Sequence, residues 1–325
     1  MLEYLTRRLL TALFVMTAMM VIVFFGTNMI GDPVALLVDP SANQAEIEAA
    51  RVSLGLDQPI WFQFWAFLTN AFQGDFGKSF VFNRPVFDVI LERLPATLEL
   101  AAAAALIALL VGLPAGLYAG LYPDRIGAKV IMGVSIFGFS LPSFWVGIVL
   151  ILLFSVTFGW FPATGRGDTV ELFGIRWSIL TWDGISHLFL PALNLSLTKM
   201  AIVTRLVAAG TQEVRSQDFV RFARAKGVRG ARLTLKHIGR NVMVPVITVI
   251  GIEIGHLIAY SVVTETIFAW PGVGRLVITS IFSLDRPVLV AYLVMVTLMF
   301  VLINLIVDLL YVALDPRIKL GSTPD

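Results

Sequence analysis

The sequence predicts an all-α polytopic membrane protein with six transmembrane helices, and its composition and hydropathy pattern carry that prediction. The 325 residues are 58% hydrophobic and 14% charged, with a mean hydropathy of +0.86; soluble domains carry roughly a quarter charged residues. Long apolar stretches fall at about 9–30, 97–121, 130–158, 188–208, 242–267 and 288–312, each near the roughly 20 residues that a helix needs to cross hydrocarbon. Strands of a membrane barrel would instead be about 10 residues of alternating pattern. Cysteine is absent, so neither disulfides nor thiol chemistry are open to the chain. The pI near 9.0 does not indicate a nucleic-acid partner, because the basic residues sit in short loops beside the spans, where orientation accounts for them.

Each element follows in order. Arg7 and Arg8 precede the first apolar run as in a signal peptide, but the run is too long for a signal and no small-x-small cleavage site follows it. Residues 1–30 are therefore read as an N-terminal segment with a retained first helix. Residues 31–96 are expected to form a compact extracytoplasmic subdomain. Within it Trp61, Phe62, Phe64, Trp65 and Phe67 recur at helical spacing, as a short helix lying at the membrane interface would have them. The stretch from Ser41 to Gly55 reads as a small helix ending at glycine. Spans two to six make a core at 97–312, interrupted by an outer loop at 159–187, an inner loop at 209–240 and an outer loop at 268–287; a tail follows at 313–325. Pro114, Pro142 and Pro191 suggest kinks in the spans that hold them. Sixteen Lys and Arg fall on the side that carries the N-terminus and loop 209–240, against eight on the other, which makes that side cytoplasmic and places both termini inside.

Loop 209–240 is more than a basic connector. Val214, Phe219, Val220, Phe222, Ala223 and Val228 form an uneven apolar stripe beside Arg215, Arg221, Arg224 and Lys226. Gly227 suits a helix stop or a sharp redirection, and Leu233, Leu235 and Ile238 resume the apolar pattern. The segment reads as one helical lever with a break, shaped for a soluble partner.

Polar residues inside spans are costly and usually purposeful. Glu253 and His256 are three apart on one helix face; they either line a translocation path and meet a charged solute, or pair with each other or with a neighbouring helix. Tyr260 lies one turn further along the same stretch. Asn304 with Asp308, and Glu99, read as structural; Lys199 reads as reaching toward the cytoplasm. Gly77-Lys-Ser79 resembles the end of a phosphate-binding loop, but position 72 is Phe where the motif needs glycine. The three histidines, His187, His237 and His256, have no metal-ligand spacing, and no nucleophile–base set is present. No metal site and no catalytic residue are expected.

The inner loop resembles the ATPase-docking loop of ABC importer permeases of the dipeptide, oligopeptide and nickel branch. Asp218-Phe219, Ala223-Arg-Ala-Lys-Gly227, His237, Arg240-Asn241 and Pro245 match its pattern position by position. The general Glu-Ala-Ala pattern is departed from at Arg221-Phe-Ala223, which points away from sugar or phosphate permeases. Further matches are Gly31-Asp-Pro33, Leu54-Gly-Leu-Asp-Gln-Pro59, Gly74-Asp-Phe-Gly77, Pro95-Ala-Thr-Leu98, Trp270-Pro-Gly-Val-Gly274 and Asp315-Pro-Arg317, so the resemblance spans the chain. It implies a type I importer permease fold of the first-permease type, and a non-catalytic subunit that forms half of a translocation pathway for di- or oligopeptides in the bacterial inner membrane. It implies as partners a second homologous permease, two cytoplasmic ATPases that bind ATP and Mg, and a periplasmic or lipid-anchored binding protein. It implies ATPase coupling through Asp218, Ala223, Arg224, Ala225, Lys226 and Gly227, with Glu253, His256 and Tyr260 as candidate path residues. Nickel or another small solute is an alternative cargo. A proton- or sodium-driven transporter is a rival reading, which would show inverted repeats and several midplane ionisable groups. A membrane enzyme is a further rival, and it lacks a reactive constellation.

Overall fold

The computed structural model describes residues 2–28, 34, 38, 43–53 and 56–314. The motifs at 31–33 and 315–317, the tail from 315 onward, and the side chains of Pro245 and Asp308 lie outside what is described. The chain divides into two compact units: Met1–Pro95 with Gly272–Val301, and Ala96–Pro271 with Leu302–Asp325.

In the first unit, α1 spans Leu2–Asn28, α2 Gln44–Ser53 and α3 Ile60–Phe72. Helix α2 starts on a reciprocal cap: the Asn43 amide donates to Glu46 Oε2 at 3.1 Å and the Glu46 amide to Asn43 Oδ1 at 3.0 Å, satisfying two donors that a helix start leaves open. The aromatic periodicity of α3 divides its residues. Phe64 and Phe67 pack on Phe24, and Trp61 and Phe64 on Phe25, with ring centroids 5.2–5.9 Å apart. Trp61, Phe62 and Trp65 remain largely exposed. The unit's core joins the start of α4 (Val86–Leu121) to α10 (Val273–Phe282) and α11 (Arg286–Leu314) through Val86, Val89, Ile90, Val273, Leu276, Val288 and Tyr292. Beside it, Asp285 is fully buried. Its carboxylate accepts from the Ser79 hydroxyl, from the Phe80 amide at 3.1 Å and from the Val81 amide at 3.3 Å. The Gly77-Lys-Ser79 motif thus serves a carboxylate, not a phosphate. Exchanging Asp285 for Ala should expose segment 77–85 to limited proteolysis and lower stability by about 1–3 kcal/mol, the cost of leaving buried donors unmet; a digestion pattern identical to wild type would refute this.

In the second unit, α5 (Ile126–Ser140) meets α6 (Ser143–Leu150), which continues as a π-helical stretch, Ile151–Thr157. A two-stranded hairpin follows, β1 Val170–Leu172 and β2 Ile175–Trp177, with Leu172 opposite Ile175. Helix α7 spans Trp182–Ser216, α8 Asp218–Ala225 and α9 Arg240–Ile267, with a π-helical stretch Arg232–Gly239 leading into α9. Helix α7 opens on Thr181, whose hydroxyl accepts from the Gly184 amide at 2.9 Å. Helices α4 and α7 pack backbone to backbone. A Cβ added at Gly116 would lie 2.6 Å from the Thr204 carbonyl oxygen, and one at Gly120 2.6 Å from that of Ala208. Glycines four apart allow this approach, as small residues do between membrane helices.

Among the described residues, four helical segments are long and apolar enough to cross a membrane: Val86–Leu121, Trp182–Ser216, Val249–Ile267 and Arg286–Ile306. The third apolar stretch, expected to kink at Pro142, is sharply broken: Ile126–Ser140 and Ser143–Thr157 are bent by 105° and count together as a fifth. The break falls at Pro142, which cannot supply the amide that would continue the helix. Pro114 and Pro191, expected to kink their spans, lie inside helices that continue past them. The second apolar helix begins at Val86 instead of near residue 97, because its first turns belong to the core of the first unit.

Candidate functional site

Segment 209–240 is not one lever. Its first residues complete α7, which runs unbroken to Ser216. Gln217 is extended, at φ −73° and ψ 150°, and α8 starts at Asp218 as a separate two-turn helix. The expected apolar stripe is split between two faces. Val220 and Ala223 are buried against a core that includes Val207, Val214, Leu233, Ile238 and Val242. Phe219 and Phe222 point away and are exposed, among the exposed Arg221, Arg224, Ala225 and Lys226. The Lys226 ammonium lies 4.5 Å from the Phe222 ring centroid, an arrangement that holds a cation on an aromatic face. Asp218 Oδ1 sits 3.6 Å from Arg221 across one turn.

Helix α8 stops where the sequence places its glycine. Gly227 has φ +83°, its amide donates to the Arg224 carbonyl at 2.9 Å, and the Val228 amide reaches back to Ala223 at 3.1 Å. These two bonds make a Schellman cap, which requires a left-handed residue at this place. The returning chain is tied down by Asn241, whose side-chain amide donates to the His237 carbonyl at 2.7 Å. Arg215 donates to the Leu121 carbonyl at 2.6 Å, so the ends of α4 and α7 are fixed beside α8. The result is a short helix with a packed inner face, and an outer face of two phenylalanines and three cations.

The second cluster lies within the long helices. Glu253 of α9 accepts from the Lys199 ammonium of α7, and His256 Nδ1 stands 3.6 Å from the other Glu253 oxygen. The Lys199 ammonium is 5.7 Å from the Tyr260 ring centroid, and the His256 and Tyr260 rings are 6.1 Å apart. The reading of Lys199 as a side chain reaching toward the cytoplasm is corrected: it turns inward, because an ammonium within an apolar helix gains more from a carboxylate than it could from a distant interface. Glu253, His256 and Tyr260 are thus brought together, with Lys199 as the member that the sequence did not reveal. Its offset from Glu253 in the chain leaves no local pattern to find.

Glu99, read from sequence as structural, anchors a third arrangement. Its carboxylate accepts from the Ser178 amide and the Ile179 amide, both at 2.8 Å, from the Ser178 hydroxyl at 2.7 Å, and from Arg166 Nε and Nη2 at 3.2 and 2.8 Å. Arg166 also donates to the Arg176 carbonyl at 2.7 Å and lies 5.9 Å from the Trp270 ring. Trp270 is buried and donates its indole N–H to the Ala96 carbonyl at 2.9 Å. Nearby, Glu265 accepts from Thr97 at 2.7 Å and from Ser261 at 2.9 Å. Sequence reasoning missed these partners of Glu99, and the bond from Thr97 to Glu265, because each of these pairings joins distant segments.

Apolar helices long enough to span a membrane, a broken span, an intramembrane ion pair and an amphipathic turn helix between two spans together define a polytopic membrane transport component. The chain belongs to the family of binding-protein-dependent transport system inner membrane components, whose model matches residues 112–320, and the N-terminal model of the same membrane components matches residues 1–101. The glutathione transport system permease protein GsiC of Escherichia coli strain K12 is 39% identical over 324 residues, covering 98% of this chain and 99% of that protein. GsiC of Shigella dysenteriae serotype 1 matches to the same extent. In fold, the chain is similar to inward-facing structures of the MetNI methionine ABC transporter: TM-scores are 0.55 and 0.56 in two crystal forms, at 15% identity, covering 70% of this chain and 96% of the compared one. The chain is thus a permease component with the fold of the ABC importer permeases.

Proposed function

We propose that this chain is one of two permease subunits of an ATP-driven importer for di- or oligopeptides. It binds no nucleotide and catalyses no reaction itself; two cytoplasmic ATPases bind and hydrolyse ATP with Mg, and a binding protein outside the membrane delivers the solute. The observation that carries the reading is the outer face of α8, with Phe219, Phe222, Arg221, Arg224 and Lys226 all exposed on a helix that Gly227 caps. A short helix anchored by its inner face and presenting aromatic and guanidinium groups suits docking into a groove on a partner, since such residues dominate protein interfaces. ATP-driven closure of the ATPases would pull on this helix and move α7 and α9 with it, so that nucleotide biases a two-state element. The path would run past Glu253, His256 and Tyr260. In this reading six helices cross the membrane, with α1 as the first. Residues 31–96 form an extracytoplasmic subdomain, 97–312 the core and 313–325 a cytoplasmic tail, and both termini are inside.

The absence of cysteine makes the topology testable by single substitutions. Phe222→Cys should react with a membrane-impermeant thiol reagent only in inside-out vesicles, and Phe173→Cys, at the hairpin tip, only in right-side-out cells. Addition of the ATPase subunits should protect Cys at 222. Labelling of both positions from one side, or no protection at 222, would refute the arrangement. Phe222→Ala should lower ATP-dependent uptake on the order of tenfold, the effect typical of removing a central interface aromatic.

A further inference from the structure

We infer that Glu253 accepts the ammonium group of a zwitterionic, peptide-class solute, and that Lys199 is a tethered competitor for the same carboxylate; the inference rests on the pathway reading above. The molecule holds its own comparison. Glu99 is a structural carboxylate: it is 4% exposed, and both of its oxygens are taken up by donors from Arg166, Ser178 and Ile179. Glu253 is arranged differently. One oxygen meets Lys199, whereas the other accepts no hydrogen bond from the described residues; His256 Nδ1, at 3.6 Å, is past bonding distance.

The open side of the carboxylate is walled by groups suited to an ammonium ion. Tyr260 is 67% exposed and the His256 side chain 40% exposed, while Glu253 and Lys199 are 17% and 12% exposed. The Lys199 ammonium already lies at a carboxylate oxygen and within about 6 Å of an aromatic centroid, the range of cation–π attraction. A primary ammonium therefore fits this geometry, because one is there. The site carries a cation beside an anion, so it matches a solute with both charges better than a simple cation or anion. Lys199 has a second consequence. An unpaired carboxylate in an apolar surround would hold an ammonium too tightly, and a transit site must also release. The lysine restores the internal pair when the solute moves on.

The test uses the whole importer complex in ATP-loaded proteoliposomes with its binding protein. Uptake of a labelled dipeptide is compared with that of its N-acetyl counterpart, each normalised to assembled complex measured by gel filtration. Glu253→Gln should lower uptake of the free-amino dipeptide on the order of tenfold, with a much smaller fall for the N-acetyl form; Glu253→Asp should retain the preference. The exchange Lys199→Glu with Glu253→Lys preserves an ion pair, so it serves even if Glu253→Gln fails to assemble. It should remain defective, because the acid has moved to the other helix. An equal fall for both peptides, or uptake restored by the exchange, would overturn the inference in favour of a purely structural pair. Wild-type complex that takes up neither peptide with ATP would instead overturn the importer reading itself.

Discussion

Exchanging Gly227 for Val should abolish most ATP-driven uptake while leaving ATP hydrolysis running. Gly227 holds φ +83°, and a Cβ built there would meet nothing within 4 Å. The penalty is therefore conformational and not a clash. A left-handed residue with a side chain costs about 1–2 kcal/mol, and a β-branched one is among the worst placed to adopt it. That cost falls on two bonds, from Gly227 to Arg224 and from Val228 to Ala223. A local equilibrium shifted by 1–2 kcal/mol changes by a factor of about 5–30, so uptake should fall in that range if α8 is the contact that transmits ATPase closure. The series Gly, Asn, Ala, Val should lose uptake in that order, since Asn tolerates the left-handed region better than Ala. Parallel measurement of ATPase rate and uptake in reconstituted complexes reads the outcome. A flat series would remove α8 from the coupling path, and a series in which ATPase and uptake fall together would point to lost docking instead of lost transmission.

Arg166→Met should be the most destabilising single change outside that loop. The Arg166 and Glu99 side chains are 11% and 1% exposed, so the pair is shielded from water. Removing one partner of a buried pair costs about 3–5 kcal/mol. The lower end applies here, because Ser178 and Ile179 still donate to Glu99. Arg166→Lys should recover only part of the loss. Arginine reaches Glu99 through two nitrogens and the Arg176 carbonyl through one of them, a fork that an ammonium cannot copy. Thermal unfolding of the detergent-solubilised protein measures both variants, and a midpoint for Arg166→Met equal to wild type would refute the role assigned to the pair. The same clamp ties Arg176 of the hairpin to Glu99 and lies beside Trp270, so loss of uptake without loss of stability would indicate that the hairpin's position also matters to transport.

Several elements are legible in the sequence alone. Gly227 as a helix stop could be read from the run of helix-forming residues ahead of it, because a Schellman cap is a local device with one residue type that suits it. Glu99 reads as a structural carboxylate from its place near the outer end of the second apolar stretch, and Pro142 as a kink from its missing amide. The lever at 209–240 was misread because periodicity reports which residues are apolar, not which neighbour claims them. Val220 and Ala223 found a core in α7 and α9, and Phe219 and Phe222 did not. The aromatics of α3 divided for the same reason, some packing on α1 and some remaining exposed.

The amino-acid sequence alone determined the class of this protein: hydropathy imposes helices long enough to span, and the loop motif points to the family. Those properties depend on composition and on residues near one another in the chain. The tertiary structure decided the rest. It brought Lys199 to Glu253, Arg166 and Ser178 to Glu99, and Ser79 to Asp285. A charge in an apolar interior must find its counterpart wherever folding delivers one, and no spacing along the chain records where that will be.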